Sequence, residues 1–173
     1  GDIAEQDAVA RAGGQMISPG GSYPQKIRAG VAATTEGLLF LGADDLRFET
    51  GWLTAAQAAI TAGAHVVGVN DCILRRRRRV HATHFLMTRE YAHRPCADGK
   101  PGPLSDAYKH NFCDDELIAT ATHRGVYAHA ARARVRHLHP MVRTAPDDAT
   151  YRQGRAGFDE DRVTFIGRAP LWT

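Results

Sequence analysis

The chain predicts an α/β fold: a layered, mixed but mostly parallel sheet with helices on both faces, in one domain spanning residues 1–173. Three observations carry this. Leu38-Leu39-Phe40-Leu41 is a continuous apolar run between Gly37 and Gly42, the pattern of a strand covered on both faces. Residues 52–62 then read as a helix, and Ala64-His65-Val66-Val67-Gly68-Val69 as the next strand. Alternation of strand and helix is the mark of α/β layering.

The other elements follow in order. Residues 3–12 predict a short helix capped by Asp2 and ended by Gly13-Gly14. Gln15-Met16-Ile17 is a short strand candidate, and Ser18-Pro19-Gly20-Gly21-Ser22 a loop. Pro24 opens a helix reaching about Thr34, at the turn where proline costs least. Arg75 to Arg79 falls in a loop or edge hairpin, followed by a strand at Thr83-His84-Phe85-Leu86-Met87. Residues 96–102 are rich in Gly and Pro and predict a loop. Residues 114–124 predict a helix closed by Gly125. Val126-Tyr127-Ala128 and Arg134-Val135-Arg136-His137 are two short strand candidates, and residues 147–157 a polar connection. A last helix runs from Phe158 to about Ile166, before an apolar tail at Pro170-Leu171-Trp172.

Composition narrows the function classes. The formal charge is +3, and the unbroken Arg75–Arg79 run accounts for its sign. A basic loop therefore describes the chain better than a basic protein does, and without aromatic interleaving nucleic acid is not the expected partner. Cys72, Cys96 and Cys113 are odd in number and lack CxxC spacing, which argues against a disulfide framework and for a reducing compartment. No apolar run is long enough to span a membrane, and the N-terminus is polar rather than a leader. A cytoplasmic location is the expectation.

Three constellations carry chemistry. Asp44-Asp45 follows the Leu38–Leu41 run directly, where ligands of open α/β sheets bind. Adjacent carboxylates repel unless a cation or donor compensates, and hard divalent cations favour oxygen ligands. A turn or helix cap would use the same residues. Asp114-Asp115-Glu116 opens a predicted helix. The helix dipole favours acids there, and a carboxylate beside a pocket can act as general base. His137 and His139 share a face if both lie on a strand, and imidazole is a common metal ligand.

The order of these three groups resembles the GT-A glycosyltransferases, especially the family 2-like nucleotide-diphospho-sugar transferases. Leu39-Phe40-Leu41-Gly42-Ala43-Asp44-Asp45-Leu46-Arg47-Phe48, then Gly51-Trp52-Leu53, is similar to their metal-site strand and the helix after it. Gly42 stands where many members carry the first acid of a DxD motif, and Asp44-Asp45 matches an xDD variant. Cys113-Asp114-Asp115-Glu116-Leu117 resembles the acceptor-side ED-type motif. Tyr23-Pro24-Gln25-Lys26-Ile27-Arg28 resembles the segment before the metal strand.

The resemblance covers about residues 2–140 and implies a Rossmann-like three-layer domain lacking its first strand–loop–helix unit. It implies an enzyme moving a sugar from a nucleotide-diphosphate donor to a hydroxyl of a glycan, lipid or protein, with inversion. It places Mn2+ or Mg2+ on Asp45 or Asp44 with His137 or His139. It puts Asp44 at the nucleotide's ribose, with Lys26 and Arg28 approaching the nucleotide. Asp114 is the aligned base, with Asp115 and Glu116 as alternatives in a shifted register.

Two other readings stand beside it. Cys72, His81, His84 and Cys96 are a possible tetrahedral zinc set, although their spacing is unlike a zinc ribbon. A degenerate glycosyltransferase-like module that binds or assembles without turnover is the second. Arg75–Arg79 is read as a solvated loop, with phosphate or an anionic surface as its functional partners.

Overall fold

The computed structural model describes residues 3–17, 20–73 and 81–172. The Asp2 cap, Ser18-Pro19 and the Arg75–Arg79 run lie outside them. In chain order the elements are α1 (Ile3–Arg11), α2 (Tyr23–Ala32), β1 (Leu38–Leu41), β2 (Leu46–Phe48), α3 (Trp52–Thr61), β3 (Val66–Asn70), β4 (Phe85–Thr88), α4 (Arg89–Ala92), α5 (Cys113–His123), β5 (Tyr127–His137), α6 (Ala149–Ala156) and α7 (Phe158–Arg168). Short 3-10 turns follow at Pro140–Val142 and Ala169–Leu171. No helix among the described residues is long and apolar enough to cross a membrane.

The fold is mixed α/β, with a five-stranded sheet in the order β1-β4-β3-β5-β2. The expectation of a mostly parallel sheet needs correction. Among the described residues only β3 and β5 pair in parallel; β1·β4, β3·β4 and β2·β5 are antiparallel. Parallel neighbours need a crossover connection, and β3 to β5 has one, through β4, α4 and α5. β4 instead returns directly from β3 and inserts between β3 and β1.

The central strands β3 and β4 are buried on both faces, whereas β2 and much of β5 are partly exposed. Val66, Phe85 and Met87 face one cluster, with Cys113, Leu117 and Ala121 of α5 and Val31 of α2. Val67, Val69 and Leu86 face the other, with Ala56 of α3 and Val135 of β5. Val66 and Val67 are both fully buried, so each contributes about 1.5–3 kcal/mol from burial. Gly68 is required by a close approach: a Cβ there would lie 2.4 Å from the Tyr127 hydroxyl and 2.7 Å from Ala82.

Four local expectations differ from the structure. Residues 15–17 form no strand; Met16 and Ile17 are exposed and pair with no neighbouring strand. The two candidates after Gly125 are one strand, β5. Its register against β3 jumps from Val69↔Ala130 to Asn70↔Arg134, and this irregularity divides its apolar pattern. The polar connection at 147–157 contains α6, whose first turn is capped by Asp148 accepting from the Tyr151 amide at 3.1 Å. β2, which pairs Leu46 with His137 and Phe48 with Val135, was not anticipated.

Two polar clusters set the site's geometry from behind. Asp161 of α7, 2% exposed, accepts from the backbone N–H groups of Lys109, His110 and Asn111 at 2.8–2.9 Å. This pins the segment that turns into α5 through Phe112, whose φ is +62°. Arg168, at the end of α7, donates to both carboxylate oxygens of Glu116 at 2.8 Å, to Asp98 at 3.1 Å and to Ser105 at 2.9 Å.

Candidate active site

A cavity of about 530 Å3 opens where the loop after β1, the start of α5 and the end of β5 meet. Asp44, Asp45, Asp114, Asp115, His137 and His139 all line it. Three groups far apart in sequence therefore share one space.

Each is positioned by its element. Phe40 of β1, Phe48 of β2 and Trp52 of α3 pack with ring centroids 4.8–5.6 Å apart, which holds the Asp44-Asp45 turn between β1 and β2. The Asp45 carbonyl accepts from the Leu138 amide at 2.9 Å, and the His137 amide donates to the Asp71 carbonyl at 3.0 Å. The end of β5 is thus laced to both the Asp45 turn and the end of β3. Gly42, just before this turn, has little room for a side chain. A Cβ at Gly42 would lie 2.7 Å from the Phe40 ring and 3.2 Å from Leu46.

His137 Nε2 lies 3.1 Å from Asp45 Oδ2. The Tyr151 hydroxyl of α6 donates to the same oxygen and lies 3.2 Å from the Leu138 carbonyl. The rings of His84, His137, His139 and Tyr151 form a continuous edge-to-face row, with centroids 4.8–4.9 Å apart. The two sequence-predicted histidines are not equivalent. His139 Nδ1 accepts from the Met141 amide at 3.0 Å, capping the 140–142 turn. Neutral His139 then carries its proton on Nε2, without a lone pair for a metal. His137 Nδ1 and Asp45 Oδ1 are buried without a hydrogen-bond partner among the described residues.

Asp45 and His137, here joined by a hydrogen bond, are the two donors a divalent cation could use. Ligands about 2.1 Å from one ion and at right angles lie about 3 Å apart, close to the Asp45–His137 separation. One carboxylate with one imidazole suits Mn2+ better than Mg2+. No group of three or more His, Cys, Asp or Glu among the described residues is arranged to hold a metal. Any ion here would complete its shell with oxygens from substrate and water. The zinc set does not form: the Cys96 thiol instead meets Asp98 and the Lys100 carbonyl.

Of the three acids opening α5, only Asp114 and Asp115 reach the cavity. Glu116 turns into the protein, 3% exposed, with Arg168 on both oxygens and the Tyr108 hydroxyl donating to Oε2 at 2.6 Å. Its carboxylate has no spare role as a base. Asp114 is pushed up to about 6, first by burial and then by the Asp115 charge, with the His81 imidazole pulling the other way. A carboxylate tuned towards neutrality is suited to proton transfer. Beside it the wall is aromatic, with Tyr23, Phe112 and Phe158.

Lys26 and Arg28 are not among the cavity residues. Arg28 pairs with Asp106 at 2.8 Å and reaches the Pro101 carbonyl; Lys26 is exposed on α2. Conversely, Tyr151, His81 and His84 line the cavity but were not assigned to this site. Tyr151 lies in a stretch too polar to mark as an element. The two histidines directly precede β4, next to the Asp45 end of β1, and that adjacency follows from sheet order rather than sequence. Comparison with protein-family models, curated proteins and solved structures returned no match.

Proposed function

We propose that this chain is a metal-dependent glycosyltransferase that moves a sugar from a nucleotide-diphosphate donor to a hydroxyl acceptor. The observation that supports it is convergence: Asp45 and His137, 92 residues apart in sequence, meet at 3.1 Å in the same cavity as Asp114 and Asp115. A bound Mn2+ or Mg2+ would neutralise charge developing on the leaving diphosphate. Asp45 and His137 would hold it, with Asp44, exposed at the rim, facing the nucleotide. Asp114 would take the proton of the acceptor hydroxyl as the new bond forms on the opposite face, giving inversion. Tyr23, Phe112 and Phe158 would shield the reacting carbon from water.

Calorimetry of UDP- and GDP-sugars with Mn2+ tests this. Binding should require the metal and should be lost in Asp45→Ala and in His137→Ala. Binding that survives both substitutions, or needs no metal, would instead support a non-catalytic sugar-binding module. One contact favours that second reading: the Tyr151 hydroxyl already occupies Asp45 Oδ2.

A further inference from the structure

We propose that His81 is the positioning residue of the acceptor end of this cavity: oriented by Asp115, it takes from Asp114 the proton that Asp114 withdraws from the acceptor. The inference rests on the transfer reading above. It gives His81, read from the sequence only as a possible zinc ligand, a role at this site, and it takes Asp114 as the base.

The imidazole stands between the two carboxylates. Its Nδ1 lies 3.2 Å from Asp115 Oδ1 and its Nε2 lies 3.6 Å from Asp114 Oδ2. One neutral tautomer serves both. With the proton on Nδ1, the ring would present it to Asp115, 3.2 Å away, and turn a lone pair on Nε2 towards Asp114. The Asp114 contact is just beyond hydrogen-bond reach, as catalytic contacts often are before substrate binds. All three side chains line the cavity, and the ring itself is only 15% exposed. Asp114 is the more buried acid, at 24% against 35% for Asp115. The deeper acid therefore suits the base and the outer one suits the orienting partner.

The step balances. The acceptor oxygen bonds to the anomeric carbon while the carbon–oxygen bond to the diphosphate breaks, and that electron pair leaves with the phosphate. The acceptor proton passes to Asp114 and then to His81 Nε2. The imidazolium is stabilised by Asp115 and releases its proton to water.

The surrounding charges are few among the described residues. Asp114 also faces the Cys113 thiol and the Tyr23 hydroxyl of α2. His81 faces His129 of β5, which is itself beside Asp71. His129 opposes the imidazolium, so the two carboxylates are what favour it.

The test is a ligand-free titration of the whole chain by long-range 1H–15N and carboxyl 13C spectra, from about pH 4 to 9. Wild-type His81 should carry its neutral proton on Nδ1. His81→Gln should raise the Asp114 midpoint by about one unit, and Asp115→Asn should release the neutral His81 proton from Nδ1. His81→Asn replaces the Gln variant if that one fails to give a dispersed spectrum. An Asp114 midpoint unchanged in folded His81→Gln, or a neutral proton on Nε2 of wild-type His81, would overturn the proposal. Mn2+-dependent binding of UDP- and GDP-sugars by the wild-type chain is read separately. Its absence alongside the expected midpoints would overturn the transfer chemistry and the acceptor as proton source, while leaving the three-residue linkage measured.

Discussion

Asp114 sits where chemistry and stability pull apart. Its folded midpoint, about 6, lies above the roughly 3.9 of a free aspartate. A group raised in this way stabilises the fold fully below the unfolded value and loses that contribution as pH rises through the folded one. Asp114→Asn should therefore match the wild type near pH 4 and exceed it by about 2 kcal/mol near pH 8, read by urea denaturation at both values. Transfer should be abolished in the same variant. A stability difference independent of pH would show that Asp114 is not strained. The candidate acids were legible in the sequence because they follow an apolar run or open a helix. Glu116 was not separable from its neighbours there. Each helical residue turns about 100°, and what captures Glu116 is Arg168, 52 residues away. The difference between His137 and His139 likewise depends on a backbone cap, at His139, that no spacing rule contains.

At the scale of elements, the start of α5 is held by one side chain on another helix. Asp161 satisfies three consecutive backbone N–H groups before Phe112. Asp161→Ala would leave those donors without their acceptor and should cost about 3–5 kcal/mol, measured by chemical denaturation. The spectra should change most around residues 109–115; a loss below about 1 kcal/mol would show that water replaces the carboxylate. β1, α3, β3 and α5 were readable because their apolar residues follow a simple run or period. α6 was not: its residues are mostly polar, and what forms it is the Asp148 cap. β5 was broken in two because its first part follows β3 while its last residues follow β2.

At the scale of the whole molecule, Arg168 ties the last helix to the rest. It joins α7 to Glu116 of α5 and to Asp98 and Ser105 of the intervening loop. Removing it strands a buried carboxylate, so Arg168→Ala should cost about 3–5 kcal/mol in a urea transition. A variant that unfolds with wild-type midpoint would show that Glu116 finds another partner or takes up a proton. Asp98 supplies a second check. Burial would raise it, but the Cys96 thiol, the Lys100 amide and Arg168 together hold it down to about 2. That contribution is present above the unfolded value and fades as pH falls from about 4 towards 2.

The lacing of Asp45 to Leu138 and of Leu46 to His137 also dictates an order of events. β2 leaves the ribosome early, yet its strand partner arrives only with the last residues of β5. Until then the Asp44-Asp45 turn has its aromatic support but not its far wall. Closing so long a loop is slow compared with local helix formation, so this wall of the cavity depends on a contact that local structure alone does not supply.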